Sequence, residues 1–236
     1  MPVYRLIDEI VFPPPDHAGP DGLLAVGGDL SSERLLLAYR LGIFPWYSEG
    51  QPILWWSPDP RFVLKLDEFH VSRRLRQVIK KGVFKVTFDK AFESVIQACA
   101  SVPREGQDGT WITPEMQQAY IRLHEQGFAH SAESWLDEEL VGGIYGVSLG
   151  RCFFGESMFS RKANASKVAL AALVERLKSW GFHMLDAQVT TQHLISLGAK
   201  EIPRGFFLER LQIAVQLPTI KGNWSSLAAK DVVGQR

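Results

Sequence analysis

Three polar side chains set in otherwise apolar segments are the chain's first candidates for chemistry. Along Phe182 to Val189 the side-chain period of two places Met184, Asp186 and Gln188 on one face and His183, Leu185, Ala187 and Val189 on the other. The same period over Cys152 to Phe159 puts Glu156 in line with Cys152, Phe154 and Met158. Carboxylates among apolar groups need partners. One reading is a structural ion pair or hydrogen bond, for which Arg161 and Arg204 are candidates; the other is a site that acts on a substrate. An ordinary Asp, with a pKa of about 3.9, is a poor base near neutral pH, so Asp186 works by hydrogen bonding and charge unless its pKa is strongly raised.

Aromatic and basic clusters suggest a nucleic-acid partner. Trp46, Trp55 and Trp56 fall within eleven residues, in a stretch rich in Pro and Gly. Indoles on such a Pro-braced loop offer a rigid platform for a nucleobase, or else a satellite core under the loop. Between His70 and Phe88 stand Arg73, Arg74, Arg76, Lys80, Lys81 and Lys85 without one Asp or Glu. Val71, Leu75, Val78 and Ile79 recur there at helical spacing, predicting a helix with an apolar stripe and a basic face. That face suits a phosphate backbone, or is simply solvated.

Composition limits the remaining classes. The 236 residues are 46% hydrophobic and 22% charged, with 26 basic and 26 acidic side chains, as in a globular protein. Cys99 and Cys152 lie far apart with no CxxC, and the six histidines form no HExxH, so structural thiols are expected and no metal site. No apolar run reaches membrane-spanning length, and MPVYRLIDEI has no signal-peptide pattern. A cytoplasmic protein is expected.

The elements that must position these residues are readable in outline. Residues 1–62 read as a small N-terminal domain with a Pro-rich segment (Phe12 to Pro15), a Gly27-Gly28 turn, a helix from Ser31 or Ser32 to a Gly42 cap, and the Trp loop. Residues 63–236 read as a second domain. It begins with a strand (Phe62 to Leu66), the basic helix, a strand (Phe84 to Phe88) and helices over Lys90 to Ala100 and Glu115 to Gln126. A meander follows over Ala129 to Leu136, Leu140 to Val147 and Cys152 to Phe159. Then come a helix (Ser166 to Trp180), the strand ending at Val189, and helices over Gln192 to Leu197 and Phe206 to Val215. The expected fold class is α+β, the second domain having the element order of a GNAT-like acyltransferase: a central mixed, mainly antiparallel sheet flanked by helices. The tail after Pro218 reads as polar and loosely packed.

The wording of several motifs carries a resemblance. GIFPW, LWWSPDPR, Gly27-Gly28-Asp29-Leu30, Asp108-Gly109-Thr110-Trp111-Ile112-Thr113, Gly155-Glu156-Ser157-Met158-Phe159-Ser160 and Pro203-Arg204 resemble those of the leucyl/phenylalanyl-tRNA–protein transferases, over about residues 20 to 208. The resemblance implies transfer of Leu or Phe, less readily Met, from aminoacyl-tRNA to proteins with N-terminal Arg or Lys. The new peptide bond would mark them for degradation dependent on the N-terminal residue. It implies that Asp186 and Gln188 act on the attacking amine, and that Glu156 is an acid lining the same site. Trp46 and Trp111 would sandwich the 3′-terminal adenosine, with Tyr39 shaping that end. Ile144, Phe153, Met158, Leu170 and Leu185 would line the aminoacyl side-chain pocket, Ile144 standing where the family usually has Met. The six basic residues would meet tRNA phosphates. An α-amine of pKa about 7.7 to 8.0 and an already activated ester need no metal, cofactor or covalent intermediate. Asp186 would hold the amine and offset its developing charge; Gln188 would hold the amine or the ester carbonyl, and Asp186 or Glu156 the acceptor's cationic side chain. A monomer is expected.

Two rivals share parts of this pattern. A coenzyme A-dependent N-acetyltransferase would have the same fold, but its Gly-rich pyrophosphate turn is replaced by Arg161-Lys162-Ala163-Asn164-Ala165-Ser166, which has no glycine. A non-catalytic RNA-binding module would explain the basic helix and the tryptophans but not Asp186 and Gln188.

Overall fold

A computed structural model describes residues 3–101 and 110–227; Asp108 and Gly109 of the Trp111 motif lie outside them. In chain order the elements are β1 (Tyr4–Leu6), β2 (Leu23–Gly27), α1 (Ser32–Arg40), β3 (Phe44–Pro45), β4 (Leu54–Trp56), β5 (Arg61–Leu64), α2 (Arg73–Lys80), β6 (Lys85–Phe88) and α3 (Phe92–Ser101). They continue as α4 (Pro114–Glu125), β7 (Ala129–Leu136), β8 (Glu139–Leu149), β9 (Cys152–Ser160), α5 (Ala165–Ser179), β10 (Met184–Gln188), α6 (Gln192–Ile195), β11 (Lys200–Ile202) and α7 (Arg204–Gln216).

Local chemistry explains the helix ends. Ser31 caps α1 by accepting from the Arg34 amide, and the chain turns out of the helix at Gly42, φ 74°. Thr113 caps α4 in the same way, with Pro114 at the first helical position, where no amide is needed.

The strands form two sheets. Four make the order β1-β2-β4-β3; seven make β11-β5-β10-β9-β8-β7-β6. In the large sheet only β9 and β10 are parallel, so it is mixed and mainly antiparallel, as expected. One face packs on α1, α3, α4 and α7, through a core that also takes in Trp55 and Phe44 of the small sheet. The other packs on α5 and α2. Gly142 on β8 lets α5 dock tightly: a Cβ there would sit 2.6 Å from that of Ala165.

Three expectations need correction, and one strand was not anticipated. The Trp segment is not a loop throughout, since β3 pairs with β4 and puts Trp55 fully inside, its indole N–H donating to the Gly27 carbonyl at 2.9 Å. Strands of two or three residues carry too little period to be read. On α2 only Leu75 is fully buried, and Ile79 is 42% exposed, so the apolar stripe is narrower than its spacing suggests. Strand β11 falls in a stretch without alternation and was legible only as an edge partner of β5. Finally, the tail is anchored as far as Leu227. Trp224 is fully buried and stacks on His130 with ring centroids 3.8 Å apart, while its amide donates to Asp89 at 2.7 Å.

Candidate active site

Strands β9 and β10 pair in register only from Cys152 to Phe154 and from Met184 to Asp186. Past that point both are irregular. Gly155 lies opposite Gly146 and Ser157 opposite Tyr145, leaving Glu156 as an extra residue. A Cβ on Gly146 would collide with the Phe153 ring and the Phe154 carbonyl, so the bulge needs glycine there. On β10 the register against β5 shifts between Asp186 and Gln188, and Gln188 takes the left-handed conformation at φ 58°. For a residue other than glycine that conformation is costly and marks a site held by its surroundings. The two strands part, and a cavity of about 910 Å³ opens beside them.

The bulge undoes the simple alternation along β10. Gln188 joins Leu185 and Ala187 in the cavity wall, whereas Asp186 turns away and is completely buried. Its partner is neither Arg161 nor Arg204 but Arg61, whose Nε and Nη2 donate to the two carboxylate oxygens at 2.9 and 2.7 Å. Arg61 is itself buried between the rings of Phe44 and Phe207, and its Nη1 donates to the Gly42 carbonyl at 3.0 Å. Asp186 Oδ1 also accepts from the backbone N–H of Gln188 at 3.0 Å, bracing the left-handed turn. Asp186, expected to hold the amine, thus has its carboxylate committed to Arg61 and the Gln188 amide and does not line the cavity.

Glu156 does face the cavity. The Tyr39 hydroxyl meets its Oε1 at 2.7 Å, the Tyr120 hydroxyl meets its Oε2 at 2.9 Å, and Gln188 Nε2 donates to Oε1 at 2.9 Å. Burial pushes the carboxyl up to about 7, against the pull of these hydrogen bonds and with the Asp186 charge adding to the rise. Met158, expected in line with Glu156, lies beyond the bulge and packs with the α5-side core. Tyr39, expected to shape the adenosine end, is fully buried, does not line the cavity and reaches Glu156 from α1. Tyr120, on the buried face of α4, had no signal in the sequence beyond an ordinary helix position.

The remaining candidates divide. Trp46 and Trp111 both line the cavity, as do Ile144, Met158, Leu170 and Leu185. Phe153 does not: it is fully buried, 5.9 Å from the Trp224 ring. Thr191, Gln192, His193 and Leu194, at and in α6, complete the wall and were not anticipated, because nothing local ties this short helix to the site. Arg73, Arg74, Arg76, Lys80, Lys81 and Lys85 are all exposed and none lines the cavity. Among the described residues no group of three or more His, Cys, Asp or Glu could hold a metal ion, and no helix is long and apolar enough to cross a membrane.

Comparison with known proteins accords with the motifs. The family described as leucyl/phenylalanyl-tRNA protein transferase matches residues 63–212, and its N-terminal domain residues 28–59. The chain is 56% identical to a leucyl/phenylalanyl-tRNA–protein transferase of Myxococcus xanthus, covering 98% of this chain and 100% of that one. It is 59% identical to one from Anaeromyxobacter sp. over 95% of each chain, and 63% identical to one from Syntrophobacter fumaroxidans over 89% and 90%. Among solved structures, that of L-PGS from Bacillus licheniformis is 13% identical, with a TM-score of 0.38, covering 73% of this chain and 57% of that one.

Proposed function

Because the chain belongs to the leucyl/phenylalanyl-tRNA–protein transferase family, and is thus an aminoacyltransferase, we propose that the cavity where β9 and β10 part is where a charged tRNA end meets an acceptor amine. The observation that carries this reading is the composition of one continuous wall. It joins two exposed or half-buried indoles, an apolar patch and a polar pair, Glu156 and Gln188.

Each part of the wall suits one part of the reaction. Trp46 and Trp111 stack on the terminal adenine, each such contact worth about 1–3 kcal/mol. Ile144, Met158, Leu170 and Leu185 receive the Leu or Phe side chain, and the unbranched thioether of Met158 adapts to both, and to Met. Gln188 has its amide nitrogen committed to Glu156, so its carbonyl oxygen accepts a hydrogen bond from the attacking amine. Asp186 and Arg61 are positioning residues here. Their buried pair fixes the turn that aims Gln188.

The acceptors are proteins with N-terminal Arg or Lys, and Glu156 is the one acidic residue of the described cavity wall. The exposed basic face of α2 with Lys81 and Lys85 meets tRNA phosphates, with little preference for sequence in an A-form helix. The product carries a new N-terminal Leu or Phe and is thereby marked for degradation. The protein acts as a monomer in the cytoplasm, where charged tRNA is found.

Incubation with tRNA bearing labelled Leu or Phe tests the reading. Label is expected to move to a peptide beginning with Arg or Lys and not to the same peptide with an acetylated N-terminus. Transfer to the blocked peptide would sink the α-amine mechanism.

A further inference from the structure

The hydrogen-bond protons around Glu156 do not add up for an ionised carboxylate. Tyr39 contacts Oε1, Tyr120 contacts Oε2, and the two tyrosine hydroxyls contact each other. Three contacts between oxygens need three protons, and two phenols supply two. The third belongs on the Glu156 carboxyl. Gln188 donates to Oε1 through an amide, which brings no mobile proton.

The surroundings act in the same direction. Around the group stand Tyr39 on α1, Tyr120 on α4 with Tyr145 on β8 beside it, and Asp186 on β10. Arg61 on β5, which pairs with Asp186, is committed to both of its carboxylate oxygens. Burial raises Glu156 to about 7 and raises both tyrosines well above the ordinary phenol, so the carboxyl is the group that gains and loses the proton.

Building on the aminoacyl-transfer reading, we propose that Glu156 is the acid that protonates the leaving ribose oxygen, and that Tyr39 and Tyr120 are positioning residues that hold its proton until it is transferred. As the amine nitrogen bonds to the ester carbon and the carbon–oxygen bond to the ribose breaks, the carboxyl proton passes to that oxygen. The proton shed by the nitrogen returns to the carboxylate, so the cycle closes without a co-reactant. A positioned acid of this kind contributes about 10²- to 10⁴-fold in rate.

Infrared difference spectra of wild type against Glu156→Gln, recorded without tRNA below about pH 6, test the proton placement separately from activity. The carbonyl stretch of a protonated carboxyl is expected in the wild type and should shift in Tyr39→Phe. Its absence, or indifference to Tyr39, overturns the proposal. Single-turnover transfer as a function of pH tests the role. The wild type should rise with the free α-amine and fall as the carboxyl ionises, with its maximum between about pH 7 and 8. In Glu156→Gln the alkaline fall should vanish and the rate drop by about 10²-fold or more. An unchanged alkaline fall in that variant would rule Glu156 out as the acid, whereas a wild type that transfers to no acceptor would strike the functional reading instead.

Discussion

Gln188 and Asp89 each close a strand in the left-handed region, with φ of 58° and 53°, yet they stand in regions of opposite character. Asp89, after β6, is closed in by protein. Its carboxylate accepts from the Ser131 amide, from His130 Nδ1 and from the Trp224 amide, all within 2.8 Å. Burial holds His130 below its ordinary pKa despite that neighbour, so the imidazole stays neutral and the cluster clamps the tail. At the other region Asp186 is equally closed, but it braces Gln188, which together with Glu156 opens onto the cavity. The difference teaches that a buried, hydrogen-bonded acid does not by itself mark a site. What marks it here is a second acid without a cation, on a wall that leaves room for a substrate.

The most damaging change should be Asp186→Asn, which leaves the buried Arg61 guanidinium without its charge. Breaking such a pair costs about 3–5 kcal/mol, which is a fall in Tm of roughly 10 °C for a chain of this size. Transfer should fall as well in the fraction still folded, since Gln188 loses its brace. Melting and transfer rate measured on one preparation check both. An active Asn variant of normal stability would erase the distinction between bracing and closing.

Trp224→Ala should cost about 3–5 kcal/mol through the lost packing in a fully buried position and leave kcat of the folded protein unchanged. A fall in kcat at unchanged Tm would show that the tail cluster communicates with the cavity.

The smallest expected effect is on the pH dependence of stability. Glu156 binds its proton more tightly folded than unfolded. Its contribution is therefore complete below the ordinary carboxylate range and is lost as pH rises toward about 7. Glu133, also raised by burial, titrates in the same direction, so the difference between wild type and Glu156→Gln isolates the term. Denaturant melts at a series of pH values should show a gentler decline for the variant between about pH 4.5 and 7.

Much of the framework was legible in the sequence because it depends on near neighbours. The Ser31 cap and the Gly42 stop of α1 are settled within a turn of helix. The three strands of the meander follow from alternation and short connections over residues 129–160. Trp46 and Trp111 were identified through motif wording, and the basic face of α2 was visible as a run of charge without a counter-charge. What the periodicity could not supply was the direction of Asp186 relative to Gln188 and of Glu156 relative to Met158. A one-residue bulge reverses the face of every side chain beyond it, and the contacts that stabilise these bulges join residues far apart in the chain. Arg61 meets Asp186 across 125 positions and Tyr39 meets Glu156 across 117. The sequence by itself therefore determined part of the cavity wall, Trp46, Trp111, Ile144, Glu156, Met158, Leu170, Leu185 and Gln188, whereas only the tertiary structure decided which acid is sealed by an arginine and which faces the cavity, because pairing and burial of charge are set by groups that only folding brings together.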